Sequence, residues 1–225
     1  MRFFDNLSYV VTFERTDPFY VLDLSDPENP IVLGELEIPG FSEFMHPINA
    51  DNTLLLTVGQ DADEFGAVTG FQVSLFDSTD PTNPTLLDRF VIEGGSSSSS
   101  WDERAFRYIQ AGDVGRLIIP LYEYQHDRWG SSINQVEGFT VFGVDLNKTE
   151  EIITRELDIN HYQEQNFYDK NGCYCGGIYL PERSLVFDGK LMTMRNQLVV
   201  NTDLGSGDEL WEIDFTEDTT DCCGW

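Results

Sequence analysis

Apolar residues in this chain fall in short runs between turn signals, and helical spacing is almost absent. The runs are YVVTF at 9–13, FYVLDL at 19–24, IVLGELEI at 31–38, LLLTV at 54–58, FQVSLF at 71–76 and LLDRFVI at 86–92. They continue with LIIPLYEY at 117–124, FTVFGVDL at 139–146, IITRELDI at 152–159, SLVF at 184–187, KLMTM at 190–194, QLVVNTDL at 197–204 and ELWEIDF at 209–215. Val, Ile, Leu, Phe and Tyr fill them, the residues that suit a pleated, half-buried surface. The pattern predicts an all-β chain.

The runs repeat in groups. DLSDPENP at 23–30 returns as DSTDPTNP at 77–84, an offset of 54 residues, each copy between two apolar strands. The shared chemistry is a turn. Asp26 and Asp80 can accept from nearby backbone N–H groups, Pro27 and Pro81 preset φ, and Pro30 and Pro84 open the next strand. Four strand groups follow, at about 1–40, 41–95, 96–160 and 178–215, with a cysteine-containing tail at 216–225. Units of this size with three or four strands and short turns predict β-propeller blades in a single propeller segment. The first unit reads as short at its start, because only MRFF precedes YVVTF. A β-sandwich would space single strands evenly without the long-range copy, and is the alternative.

The stretches YVVTFERTDPFYVLDLSDPENPIVLGELEIPGFSEFMHPI, VGQDADEFGAVTGFQVSLFDSTDPTNP and RSLVFDGKLMTMRNQLVVNTDL resemble the secreted β-propeller domain family of bacteria and archaea, which is related to the LVIVD-repeat propellers. The resemblance covers most of residues 2–215 and is weak across 125–178. It implies an exported or cell-surface protein with no established catalysis, of which this chain is the carboxyl-terminal part. Further blades of a longer chain would then be its partners. One stretch departs from the family. Where members often carry Asp-His-His-Ala-Phe, this chain has Asp102, Glu103, Arg104, Ala105 and Phe106. A metal role for those histidines does not carry over, whereas Phe106 as a strand anchor does.

Charge narrows the functional classes. Lys and Arg number 13 against 40 Asp and Glu, a net charge of -27, with lysine only at 148, 170 and 190. Nucleic acid is excluded as a partner, since phosphate contacts need basic side chains. No apolar run reaches the roughly 18 residues of a membrane helix. A carboxylate-rich, lysine-poor surface suits high salt, where screening shortens self-repulsion, so a halophilic or marine source fits, as does a merely soluble acidic protein. The amino end does not read as a signal peptide.

Several residues suggest chemistry. Asp61, Asp63 and Glu64 lie on a Gly-bounded loop and could converge on calcium as a cofactor; a solvated acidic turn is the alternative. His46, His126 and His161 are too far apart in sequence for a zinc motif. His46 is expected to be packed at a strand entrance, and the other two to be exposed. Cys173, Cys175, Cys222 and Cys223 suit two disulfides stapling the tail to the 173–175 loop, or four thiolates on zinc. Ser96–Ser100, after Gly94 and Gly95, reads as a flexible bridge. Tyr122, Tyr124, His126 and Trp129, with Arg128, form an aromatic segment that could line a protein or carbohydrate site, or pack on its own blade. The expected function is a binding or scaffold module without catalysis. A calcium-dependent polysaccharide hydrolase or lyase, or a purely structural blade array, are the alternatives.

Overall fold

A computed structural model describes residues 1–11, 17–38, 40–63, 65–112, 114–126, 132–161 and 180–215. They form four antiparallel sheets in chain order. The first holds β1 (Arg2–Phe4), β2 (Leu7–Val11), β3 (Asp17–Asp23) and β4 (Ile31–Ile38). The second holds β5 (Phe41–Pro47), β6 (Leu54–Ala62), β7 (Val68–Asp77) and β8 (Thr85–Glu93). A short β9 (Gly95–Ser96) joins the third, beside β10 (Arg107–Ala111), β11 (Val114–His126), β12 (Ser132–Asp145) and β13 (Ile153–Asn160). The fourth holds β14 (Leu180–Phe187), β15 (Lys190–Asn196), β16 (Leu198–Asp203) and β17 (Glu209–Asp214). Apart from β9, each strand pairs with its neighbour in sequence, so every sheet is an up-and-down meander. The first unit is short at its start, with β1 only three residues long, yet its sheet has four strands. Arg2–Phe4 pairs with Leu7–Tyr9 across a two-residue turn in which Asp5 takes φ 48°, the left-handed conformation such hairpins need.

The four sheets share two local devices. An aspartate ends the third strand of each and its Oδ1 accepts backbone N–H groups of the turn that follows. Asp23 accepts from Ser25 at 2.8 Å, Asp77 from Thr79 at 2.7 Å, Asp145 from Asn147 at 3.1 Å, and Asp203 from Gly205 at 3.0 Å. In the repeated turns Asp26 accepts from Glu28 N–H at 3.1 Å and Asp80 from Thr82 N–H at 3.0 Å, as their sequence predicts. The second device is a bulge in the fourth strand. Register shifts at Val21/Leu22, Leu75/Phe76, Val141/Phe142 and Asn201/Thr202 leave Leu33, Leu87, Glu156 and Leu210 as the extra residues. A bulge there bends the outer strand and increases its twist.

The core lies in layers between consecutive sheets. Tyr9, Phe19, Val21 and Ile38 of the first sheet pack on Met45, Leu55 and Phe76 of the second. The rings of Tyr9, Phe19 and Phe76 stack at centroid distances of 5.6 and 5.0 Å. Leu56, Val58, Phe71, Val73, Leu75 and Ile92 meet Leu117, Ile119, Leu121, Phe142 and Val144 in the next layer, where the buried Phe106 keeps its anchoring place. Ile118, Phe139, Val141 and Ile159 meet Leu191, Leu198 and Val200 in the last. Among the described residues no core cluster joins the fourth sheet to the first.

Two expectations are corrected. The serine run is not a flexible bridge. Ser97, Ser98 and Ser99 are buried, Ser97 caps a 3₁₀ turn at Ser98–Ser100, and Ser97 Oγ donates to the Pro120 carbonyl. Pinning this loop with hydroxyls satisfies backbone groups that burial would otherwise leave bare. His161 is buried rather than exposed, at 3% accessibility, because β13 carries it under the fourth sheet beside Phe139 and Thr193. His46 is half-buried against Phe106 and Tyr108, as expected.

Candidate functional site

Two polar clusters use their charges to tie strands and sheets together. Arg195 on β15 is 6% exposed. Its Nη2 donates to Glu137 Oε1 at 2.7 Å, and its Nε lies 2.9 Å from Glu182 Oε1 and 3.2 Å from the Tyr122 hydroxyl. The guanidinium also stands 4.7 Å from the Tyr122 ring centroid. Ser98 Oγ donates to the other oxygen of Glu182. The third and fourth sheets are therefore locked by a buried cation between two carboxylates, an arrangement stable only while all members are present. Arg155 makes a second cluster within the third sheet, with Glu123 at 2.8 Å and Asp158 at 3.0 Å.

Tyr122, read from sequence as a ligand-face residue, is thus part of the joint beneath Arg195. Tyr124 is 42% exposed. The His126 side chain and Trp129 lie outside the described residues, as do Glu64 and the four cysteines.

Asp61 and Asp63 are occupied by neighbours of their own. Asp61 Oδ1 pairs with Arg89, while its Oδ2 accepts from Thr69 Oγ1 at 2.6 Å. Asp63 Oδ1 accepts the N–H groups of Phe65 and Ala67, both at 2.9 Å, and so shapes its own turn. These two residues, with Thr69, Arg89, Val91 and Glu93, line an open cleft of about 490 Å³. Among the described residues no group of three His, Cys, Asp or Glu is placed to hold a metal ion.

A second cleft, of about 260 Å³, forms where β1 and β5 meet the loop after the serine turn. Arg2 donates through Nε to the Met45 carbonyl at 2.9 Å, stands 4.4 Å from the Phe44 ring centroid and faces Glu103 at 3.8 Å. Glu43 and Ser100 complete the polar lining, and Trp101 closes one side while remaining 74% exposed. An exposed indole beside paired charges offers an apolar face ringed by hydrogen-bonding groups. Sequence reading missed it because Trp101 follows a serine run that looked like a linker, and its partners come from strands far away in the chain.

Four consecutive meanders, packed face to face and built with the same capped turn and bulge, have the architecture of propeller blades. A family model described as beta propeller domain matches residues 1–206. The chain belongs to that family. An uncharacterized protein of Methanocaldococcus jannaschii is 31% identical to this β-propeller chain over 185 residues, and one of Archaeoglobus fulgidus is 35% identical over 176. Each match takes in 76% of the chain and 26% of the relative, so the chain spans about a quarter of the length of these relatives. Solved structures are more distant. A cobalt-substituted Synechocystis apocarotenoid oxygenase is 13% identical with a TM-score of 0.45, covering 93% of this chain and 46% of that one. The AfRom2 CNH domain is 11% identical with a TM-score of 0.41, covering 92% and 50%. Nothing about activity passes from either.

Proposed function

We propose that this β-propeller chain is a binding and scaffold module of an exported or cell-surface protein, without catalysis of its own, and that it meets a neutral saccharide chain at the Trp101 cleft. The observation that carries the reading is the 74% exposure of Trp101 over a cleft whose other walls are Arg2, Glu43 and Glu103. Stacking on an indole needs no charge on the ligand, and a surface of net charge -27 repels anionic ones. The partly buried carboxylates Glu137 and Glu182 hold the sheets together through Arg195, which favours a structural use for them. Rigid blades then serve to hold exposed loops in place for recognition.

Titration with a panel of neutral oligosaccharides, read by tryptophan fluorescence and calorimetry, tests this. A binder is expected, with affinity falling roughly tenfold or more in Trp101→Ala, the loss of one stacked aromatic anchor, and an unchanged melting temperature. Binding that survives Trp101→Ala, or no binding across the panel, overturns the assignment of this cleft.

A further inference from the structure

Asparagine is followed two residues later by serine or threonine at three places, Asn6-Leu7-Ser8, Asn83-Pro84-Thr85 and Asn147-Lys148-Thr149. A triplet of this kind without a central proline is the acceptor pattern for N-linked glycans, in which the transferring enzyme holds the hydroxyl while the asparagine amide nitrogen reacts. The pattern is common in sequences, and the fold sorts the three copies.

The first triplet is closed by the sheet. Asn6 is exposed at the turn between β1 and β2, and its carbonyl accepts the Leu24 N–H at 2.7 Å, but Ser8 is 0% exposed. Ser8 sits between Phe3 and Leu22 in the ladder, so bringing its hydroxyl to an enzyme would strip β2 from both neighbours. The second triplet is closed by proline. Asn83 and Thr85 are exposed, yet Pro84 between them is buried. It packs on the first sheet, where a β-carbon added to Gly34 would stand 2.8 Å from Pro84 Cδ and 2.5 Å from the Pro81 carbonyl oxygen. The proline ring also fixes φ and removes an N–H, which keeps Asn83 and Thr85 from bending toward one another.

The third triplet is open. Residues 146–151, which link β12 to β13, are all exposed. Their base is anchored, with Asp145 N–H donating to the Ile152 carbonyl at 2.9 Å and Lys148 N–H to the Asp145 carbonyl at 3.2 Å. Asn147 and Thr149 therefore project on a loop tip from a fixed stem, the kind of place where a modifying enzyme can engage a folded chain. The Asn147 amide does little for the turn itself. The cap is made by its backbone N–H, which donates to Asp145 Oδ1 at 3.1 Å, and Nδ2 adds a 3.2 Å contact to that same oxygen. Ser25, Thr79 and Gly205 hold the same place in the other three turns without an amide.

We infer that Asn147 is the acceptor of an N-linked glycan. Its Nδ2 forms a bond to the anomeric carbon of a saccharide carried on a polyprenyl phosphate or diphosphate. The bond from that carbon to the phosphate oxygen breaks, the lipid carrier leaves with the electron pair, and one amide proton passes to a base of the transferase. Nothing is oxidised or reduced. Donor and transferase act outside the cytoplasm, so the inference rests on the proposed export; it does not depend on any ligand at Trp101.

Mass spectrometry of peptides from the complete polypeptide, recovered from the cells that encode it, tests the inference. The peptide holding Asn147 should carry added saccharide mass, and those holding Asn6 and Asn83 none. Asn147→Gln and Thr149→Ala should each abolish the added mass, and Thr149→Ser should keep it. All three variants should retain the β-sheet circular dichroism of the parent chain, since the turn is capped by backbone. The same cells are fractionated. A chain found outside the cytoplasm but bare at Asn147 overturns the inference and leaves export standing. A chain confined to the cytoplasm overturns both. Saccharide on Asn6, or added mass at Asn147 that survives Thr149→Ala, also overturns it, because the exposed triplet would then not be what selects the acceptor.

Discussion

His161 carries a consequence that its burial fixes. Removal from water, together with the nearby charge of Arg195, holds its imidazole below the ordinary histidine value, against opposing hydrogen bonds to the Thr193 and Ile159 carbonyls. The unfolded chain therefore takes up this proton at a higher pH than the folded one. Stability from a neutral His161 is full above about pH 6.5, the free histidine value, and is lost as pH falls through the lower folded value. His46, depressed by burial and by Arg2, acts in the same direction. Urea melts between pH 7.5 and 5 should show stability falling with pH. The slope should shrink in His161→Gln, which keeps a polar side chain but cannot titrate. An unchanged slope in that variant would show that His161 does not enter folded and unfolded states with different proton affinity. At this scale the sequence was misleading: His161 ends an alternating strand next to a polar stretch and reads as exposed, and only the fourth sheet, far along the chain, buries it.

The elements were legible where apolar runs were long and where the turn chemistry repeated. The second to fourth strands of every sheet follow the predicted runs, and DLSDPENP and DSTDPTNP form matching turns. Most first strands were missed. Arg2–Phe4, Phe41–Pro47 and Arg107–Ala111 are short or interrupted by charged and polar residues, and pairing with the second strand is what makes them strands. The bulges were invisible for a related reason, since register belongs to a pair of strands and not to one of them. Gly34 shows how tightly these elements meet. Gly34→Ala should cost about 1–3 kcal/mol in urea unfolding, the usual penalty of overpacking, because backbone at Pro81 must move. Gly205→Ala, whose nearest neighbour would be 3.4 Å away, should be close to neutral. Equal effects of the two would show that the first joint has slack.

On the scale of the whole molecule, four blades in series leave an apolar face at each end, and no closing layer forms between them among the described residues. The fourfold architecture could be read from a repeated turn and strand spacing. The Trp101 cleft could not, because Arg2, Glu43 and Trp101 converge only after three separate segments have folded. Export remains part of the proposal that the family resemblance supports. The chain forms four consecutive blades, and the family resemblance implies a larger propeller around them. An experimental structure of the complete polypeptide tests that most directly. It should show residues 2–214 as four successive blades, with another blade seated on Trp211 and another on the Pro27–Pro30 turn. A closed ring of four, with the fourth sheet packed directly against the first, would contradict it.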